Sequence, residues 1–148
     1  MTSTAHTSTD LDLDVAARLR TAVTRLNRRL RQQSLGGISP AQASMLAMAD
    51  RLGTPTLGEL AKAEQIQPPT TTRLVAQMED AGLLARLTDE KDKRVCRVEV
   101  TPAGRRELKR IRNEKTAYLV DRLESLDESE RLRAVELVEL LERLEHDR

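Results

Sequence analysis

The chain has 148 residues, 39% of them hydrophobic, with one Tyr and neither Phe nor Trp; that length allows one domain, or one domain with extra helices for assembly. The near absence of aromatic side chains argues against RNA-recognition and single-strand binders, which stack bases on rings. With 25 basic and 24 acidic residues the formal net charge is +1, a total that lacks the strongly basic footprint usual in a DNA-binding domain, although Arg18, Arg20, Arg25, Arg28, Arg29 and Arg31 crowd one early stretch and the chain is acidic from Asp121 onward.

Residues 1–9, MTSTAHTST, are small and polar and are expected to be disordered. A long helix is predicted from Asp12 to about Gln33, because Val15, Leu19, Val23, Leu26 and Leu30 recur at three- and four-residue steps. Gly36 and Gly37 end it. Ser39 and Gln42, with Pro40 at the first helical position, form a capping box that opens a second helix reaching Leu52. Gly53 and Pro55 break that helix.

Thr56 with Glu59 is another capping box, and the short helix behind it carries Leu57, Leu60 and Ala61 inward and ends near Glu64. After the turn Gln65-Ile66-Gln67, Pro68 opens a helix that runs to about Ala81, where Gly82 can take the left-handed C-terminal conformation. Thr71, Leu74, Val75 and Met78 share one face of this helix at helical spacing. Pro69, Thr72, Arg73 and Ala76 point the other way, with Thr70 and Gln77 at the margins. Residues 84–87 and 95–100 read as strands around the charged loop TDEKDKR. Two short helices followed by a ribbon make a winged helix-turn-helix.

Beyond the ribbon, Thr101 and Pro102 start a helix reaching about Ser125, with Leu108, Ile111, Leu119, Val120 and Leu123 among its apolar positions. Asp127 and Glu130 cap a last helix striped by Leu132, Val135, Val138, Leu141 and Leu144 and widened by Leu137 and Leu140. These end helices carry more apolar surface than one small winged domain can cover, which points to a shared dimer interface; an ordinary intrachain bundle is the competing reading. The expected fold class is mainly α with a small β-ribbon (α+β). Residues 38–101 are expected to form a winged DNA-binding domain, and residues 10–37 and 102–148 a helical dimerisation region.

Cys96 is the single cysteine, so no intramolecular disulfide can form and a reducing, cytoplasmic setting is expected. No charged-then-apolar leader and no apolar run of membrane-spanning length occurs. His6 and His146 lie near the two ends, away from Cys96, so no zinc spacing is visible. No serine–histidine pair or phosphate-binding glycine loop is present either, and the expectation is a non-enzyme without cofactor.

The run IQPPTTTRLVAQMEDAGLLAR, then DEKDKR, then VTPAGRREL, resembles the MarR family of transcriptional regulators. The family's recognition-helix pattern Thr-x-Thr-Arg-Leu-Val is matched by Thr70 to Val75. Its wing pattern Asp-x-x-Asp-x-Arg is matched by Asp89, Asp92 and Arg94. Its closing Leu-Thr-x-x-Gly is matched by Val100, Thr101 and Gly104, with valine for leucine. The three pieces in order, at the right spacing, are specific where each alone is weak. Family members often carry an aromatic where this chain has Ala43, so the core beside that helix must be packed differently. The resemblance implies a homodimer and a small, often aromatic or phenolic, effector bound between the winged domain and the dimer helices. With so few aromatics, a pocket here would be lined by Leu, Met and Arg.

The DNA-contact candidates follow from both readings. One helix fits the major groove, where Arg, Gln and Thr can bond or touch base edges; Thr70, Thr72, Arg73 and Gln77 are placed there, with Pro69 able to offer only apolar contact. In the family-like pose Arg94 enters the minor groove, where narrow A·T stretches attract arginine, and Asp92 is placed to hold its guanidinium. Gln67, a weaker cap than Ser or Thr, can reach a phosphate or base. Thr56, Lys91 and Lys93 are phosphate contacts, which position without specifying sequence. The bland alternatives are a solvated hairpin tip for Arg94, a surface ion pair for Arg73 and tolerated surface residues for the threonines. Some relatives sense peroxide through a thiol, but alternation of Cys96 with Val98 and Val100 suggests a buried, structural thiol.

The function expected is a homodimeric, sequence-specific regulator of double-stranded DNA. It reads a palindromic operator and is most simply a repressor relieved by a ligand. The alternative from another class is a helical interaction module whose winged domain docks a protein partner.

Overall fold

The computed structural model describes residues 4–33, 36–89 and 92–146, with side chains from residue 12 onward. The element order is α1 (Thr4–Gln33), α2 (Pro40–Leu52), α3 (Leu57–Glu64), α4 (Pro68–Asp80), β1 (Leu84–Thr88), β2 (Cys96–Val100), α5 (Pro102–Glu124) and α6 (Glu128–His146). This is the α+β arrangement expected, with every helix in its anticipated place. The two strands shift by one residue at the wing end, and one helix boundary differs: α1 starts at Thr4, so residues 4–9 of the tail expected to be disordered are helical, while residues 1–3 lie outside the described residues. Extending an existing helix adds one hydrogen bond per residue without a new nucleation cost, which weak local propensity does not outweigh.

The helix starts are set by side chains. Ser39 and Gln42 exchange hydrogen bonds at 2.8 and 3.2 Å, and Thr56 and Glu59 do the same at 2.7 and 3.1 Å. Asp127 and Glu130 repeat the device ahead of α6. The α3–α4 turn passes through Gln65 in the left-handed region (φ 54°), whose amide caps the end of α3. Gly82 takes φ 72° directly after α4.

The core gathers where α2, α3, α4 and the ribbon meet. Met45, Leu46 and Ala49 come from α2, Leu60 from α3, Leu74, Val75 and Met78 from α4, and Leu84, Val98 and Val100 from the ribbon, closed by Leu108 of α5. Thr71 is buried among them, so the four residues foreseen on the inner face of α4 are the ones buried. The ribbon pairs antiparallel from Leu84 opposite Val100 to Thr88 opposite Cys96. Cys96 therefore lies at the far end of the ladder, beyond the core, and is half-buried rather than buried as its alternation suggested.

Gly104 lets α5 pass close to the chain leaving α4. A Cβ there would overlap the Leu83 carbonyl oxygen and sit 2.8 Å from Val100 Cγ1. Thr101 completes this joint, donating from Oγ1 to the Gly82 carbonyl at 2.6 Å and accepting from the Gly104 amide at 3.0 Å. Helix α1 packs on α5, whereas α6 makes at most marginal contact with the other elements and buries none of its residues. No helix among the described residues is long and apolar enough to cross a membrane.

Candidate nucleic-acid interface

Helix α4 presents its outer face because the inner one is anchored. Pro68 sits at the first helical position, where its missing N–H costs nothing. Gln67 occupies the N-cap position with its carbonyl accepting from the Thr70 and Thr71 amides at 3.0 and 3.1 Å, while its side chain makes no capping bond and is exposed. Pro69, Thr72 and Arg73 are exposed, and Thr70 is half-buried. The Thr72 hydroxyl donates back to the Pro68 carbonyl at 3.0 Å, a local bond that leaves its oxygen able to accept.

The Arg73 side chain forms no hydrogen bond or ion pair among the described residues, so the surface ion pair that competed with a base-reading role is not made. Gln77 is less free: its Oε1 accepts from Gln42 Nε2 of α2 at 3.4 Å. Thr56 is committed to the α3 cap, yet its hydroxyl can still donate outward.

The wing is braced from within. Asp92 takes the Arg94 amide at 3.0 Å and the Arg94 guanidinium at 3.2 and 3.4 Å on its two oxygens. The charge-assisted bond expected between these two residues is thus present, and it holds the Asp92 carboxyl below the usual carboxylate range. The Arg94 side chain remains 91% exposed. Lys93 is also exposed, and Lys91 lies outside the described residues.

Two positioning residues went unassigned in the sequence reading. Asp89 accepts from the Asp92 amide at 3.0 Å and pairs with Arg97 Nε at 2.5 Å. Arg97 also donates to the Thr54 carbonyl at 2.9 Å and lies 3.8 Å from Glu59. The Asp89 carboxylate raises the Arg97 guanidinium above its ordinary value. A single bridge between Thr56 and Arg97 and the Val98 amide bond to the Pro55 carbonyl (2.9 Å) complete the junction. Arg86 on β1 likewise bonds Glu79 on α4 at 3.0 Å. The wing and the two helices are thus one braced unit. Only the DEKDKR motif pointed to Asp89, and Arg97 carried no motif signal.

Behind this unit a cleft of about 300 Å³ opens between α1, α2 and α5, lined by Asn27, Arg31, Ala43, Ser44, Leu108 and Arg112 among others. Ala43, the departure from an aromatic, forms part of its wall. The lining is more polar than the Leu, Met and Arg expected, and no methionine takes part. Among the described residues no group of His, Cys, Asp and Glu could hold a metal ion.

A model described as the MarR family matches residues 38–96. An HTH-type transcriptional regulator of Mycobacterium tuberculosis is 35% identical over 123 residues, 82% of this chain and 86% of its own. The HTH-type transcriptional repressor MdtR of Bacillus subtilis is 28% identical over 101 residues, 68% of this chain and 65% of its own. A crystal structure from Pseudomonas aeruginosa, described as a transcriptional regulator, superposes with a TM-score of 0.83 at 34% identity, covering 94% of this chain and 98% of that one.

Proposed function

This chain belongs to the MarR family and is a transcriptional regulator with a DNA-binding fold; from that premise we propose that it is a homodimeric, sequence-specific repressor whose α4 reads the major groove and whose Arg94 enters the adjacent minor groove. The observation that carries this reading is the outer face of α4, where Arg73 stands unpaired on a helix clamped from behind by four buried residues. A fixed helix with an unengaged guanidinium suits bidentate contact to guanine O6 and N7. Thr70, Thr72 and Pro69 supply short neighbours that allow close approach, and Gln77 joins them once its bond to Gln42 opens. Thr56, Lys93 and Lys91 take phosphates, fixing register without reading bases, and Gln67 reaches a phosphate or a base.

Dimerisation through α1, α5 and α6 would place two copies of α4 about one helical turn apart on a palindromic site. The related repressor from Bacillus subtilis supports repression as the mode of action. The cleft beside Ala43 is the proposed effector seat. Arg31, Arg112 and Lys115 on its wall favour an aromatic or phenolic acid, which would shift the dimer only by binding its two arrangements unequally.

Selection of wild-type protein against a random duplex pool tests the reading. An enriched palindromic consensus is expected, and the absence of any enriched sequence at moderate salt would overturn it. Thermal shifts with a panel of aromatic acids test the effector, and no shift by any compound would leave a regulator without one.

A further inference from the structure

We propose that the groove between α1 and α5 is a binding site for a small polyphosphate anion, held by Arg25, Arg28 and Arg29 from one helix and Arg122 from the other. The groove has a volume of about 640 Å³ and no acid on its walls, which Gln32 and Gln33 complete. That size suits a small ligand. On α1, Arg25, Arg28, Arg29 and Gln32 fall within an arc of about 100°. Asn27 and Arg31, which line the cleft beside Ala43, lie on another flank of the helix. The site is therefore separate from that cleft, and it depends neither on the dimer nor on the DNA reading above.

The sequence concentrates cations here. No Asp or Glu occurs between Asp14 and Asp50, whereas six arginines do. Arg25 stands three residues before Arg28 and four before Arg29, spacings at which helix side chains are neighbours and like charges repel. Arg25, Arg28 and Arg29 have no ion pair among the described residues. In a chain of net charge +1 this is a local excess, and concave walls focus the field of such an excess onto an anion.

Arg122 is held in place from α5. Its Nη1 donates to the Tyr118 carbonyl at 3.2 Å, and its guanidinium carbon lies 3.4 Å from the centre of the buried Tyr118 ring. Its other N–H groups have no partner among the described residues. A guanidinium fork grips phosphate oxygens two at a time. Four forks around one groove call for more than one anionic group, and linked phosphates supply several within a short span. Such an anion bridges the two helices and relieves the repulsion along α1.

Tyr118 reports on the groove directly, because the chain has one Tyr and neither Phe nor Trp. Titration of the full chain with inorganic tripolyphosphate at constant ionic strength is expected to move the tyrosine emission to a saturating value and to raise the melting temperature. A variant carrying R25Q, R28Q and R29Q should raise the apparent Kd at least about tenfold through loss of charge-assisted bonds. Glutamine suits a helix surface, and circular dichroism checks the fold. If the triple variant loses helix, R28Q alone is expected to weaken binding in the same direction. A second variant carrying R105Q, R106Q and K109Q, three exposed cations elsewhere on α5, should bind tripolyphosphate like the wild type.

Unchanged emission in the wild type, or an equal loss in both triple variants, would overturn the site. Citrate binding as tightly as tripolyphosphate would contradict the preference for phosphate. Duplex DNA of unrelated sequence is the other source of phosphates. The groove variant is expected to bind it like the wild type while losing tripolyphosphate. Weaker duplex binding with a salt slope reduced by about three, and no response to tripolyphosphate in the wild type, would make the groove a DNA backbone contact and overturn the free-anion site.

Discussion

Arg97 Nε and the Asp89 carboxylate meet at 2.5 Å at the base of the wing, and the same guanidinium reaches the Thr54 carbonyl ahead of α3. The pair couples the hairpin that carries Arg94 to the helix-turn-helix that carries Arg73. Replacing Arg97 by Ala should leave the core intact while loosening the wing. The expected result is faster amide exchange at Asp92 and Val95 and weaker DNA binding, with little change in melting temperature. Unaltered exchange at those amides would show that the ladder alone holds the wing.

Arg94→Ala should weaken binding to every duplex and reduce the slope of log affinity against log salt by about one, with its largest effect where A·T steps flank the site. Arg94→Lys should recover only part of the loss, because an ammonium cannot match the two-oxygen grip that Asp92 has on the guanidinium. Full recovery by lysine would mean that only charge matters at the tip.

Gly104→Ala drives a methyl into the Leu83 carbonyl and the Val100 side chain. The overpacking is expected to cost about 1–3 kcal/mol in denaturant unfolding. Thr101→Ala, which removes the cap and the bond to Gly82, should cost about 1 kcal/mol. Wild-type stability in Gly104→Ala would contradict the close approach of α5.

Among the described residues, the carboxyls of Glu59, Asp92 and Glu107 are held below their ordinary range. For Glu59 the main cause is its bond from the Thr56 amide, for Asp92 the Arg94 side chain, and for Glu107 the Arg110 side chain. A depressed folded-state value favours folding fully above the unfolded value and loses that contribution as pH falls through the folded one. These groups should therefore leave stability flat between about pH 5 and 8 and lower it below about pH 4. Melting temperature against pH checks this, and Glu107→Gln should make the acid limb shallower.

Where local chemistry decides the structure, the residues told the outcome. The α4 face followed from helical spacing between Pro68 and Gly82, and the capping boxes from Ser39, Thr56 and Asp127. The Asp92–Arg94 contact spans two residues and was equally legible. Arg97 was not, because its bonds to Thr54 and Glu59 join segments far apart in the chain. Cys96 was misjudged because alternation reports which way a side chain faces, not how far along the ladder the core extends. The start of α1 was missed because capping and periodicity say little about a helix that simply continues.

The most direct test of the reading role of α4 is the affinity of wild-type and Arg73→Ala protein for the selected duplex and for each of its single-base substitutions. The expected result is that Arg73→Ala loses about 1–3 kcal/mol of discrimination at one base pair in each half-site and keeps the wild-type pattern elsewhere. An equal loss on every duplex, or none, would contradict base reading by Arg73 and reduce it to a phosphate contact or a bystander.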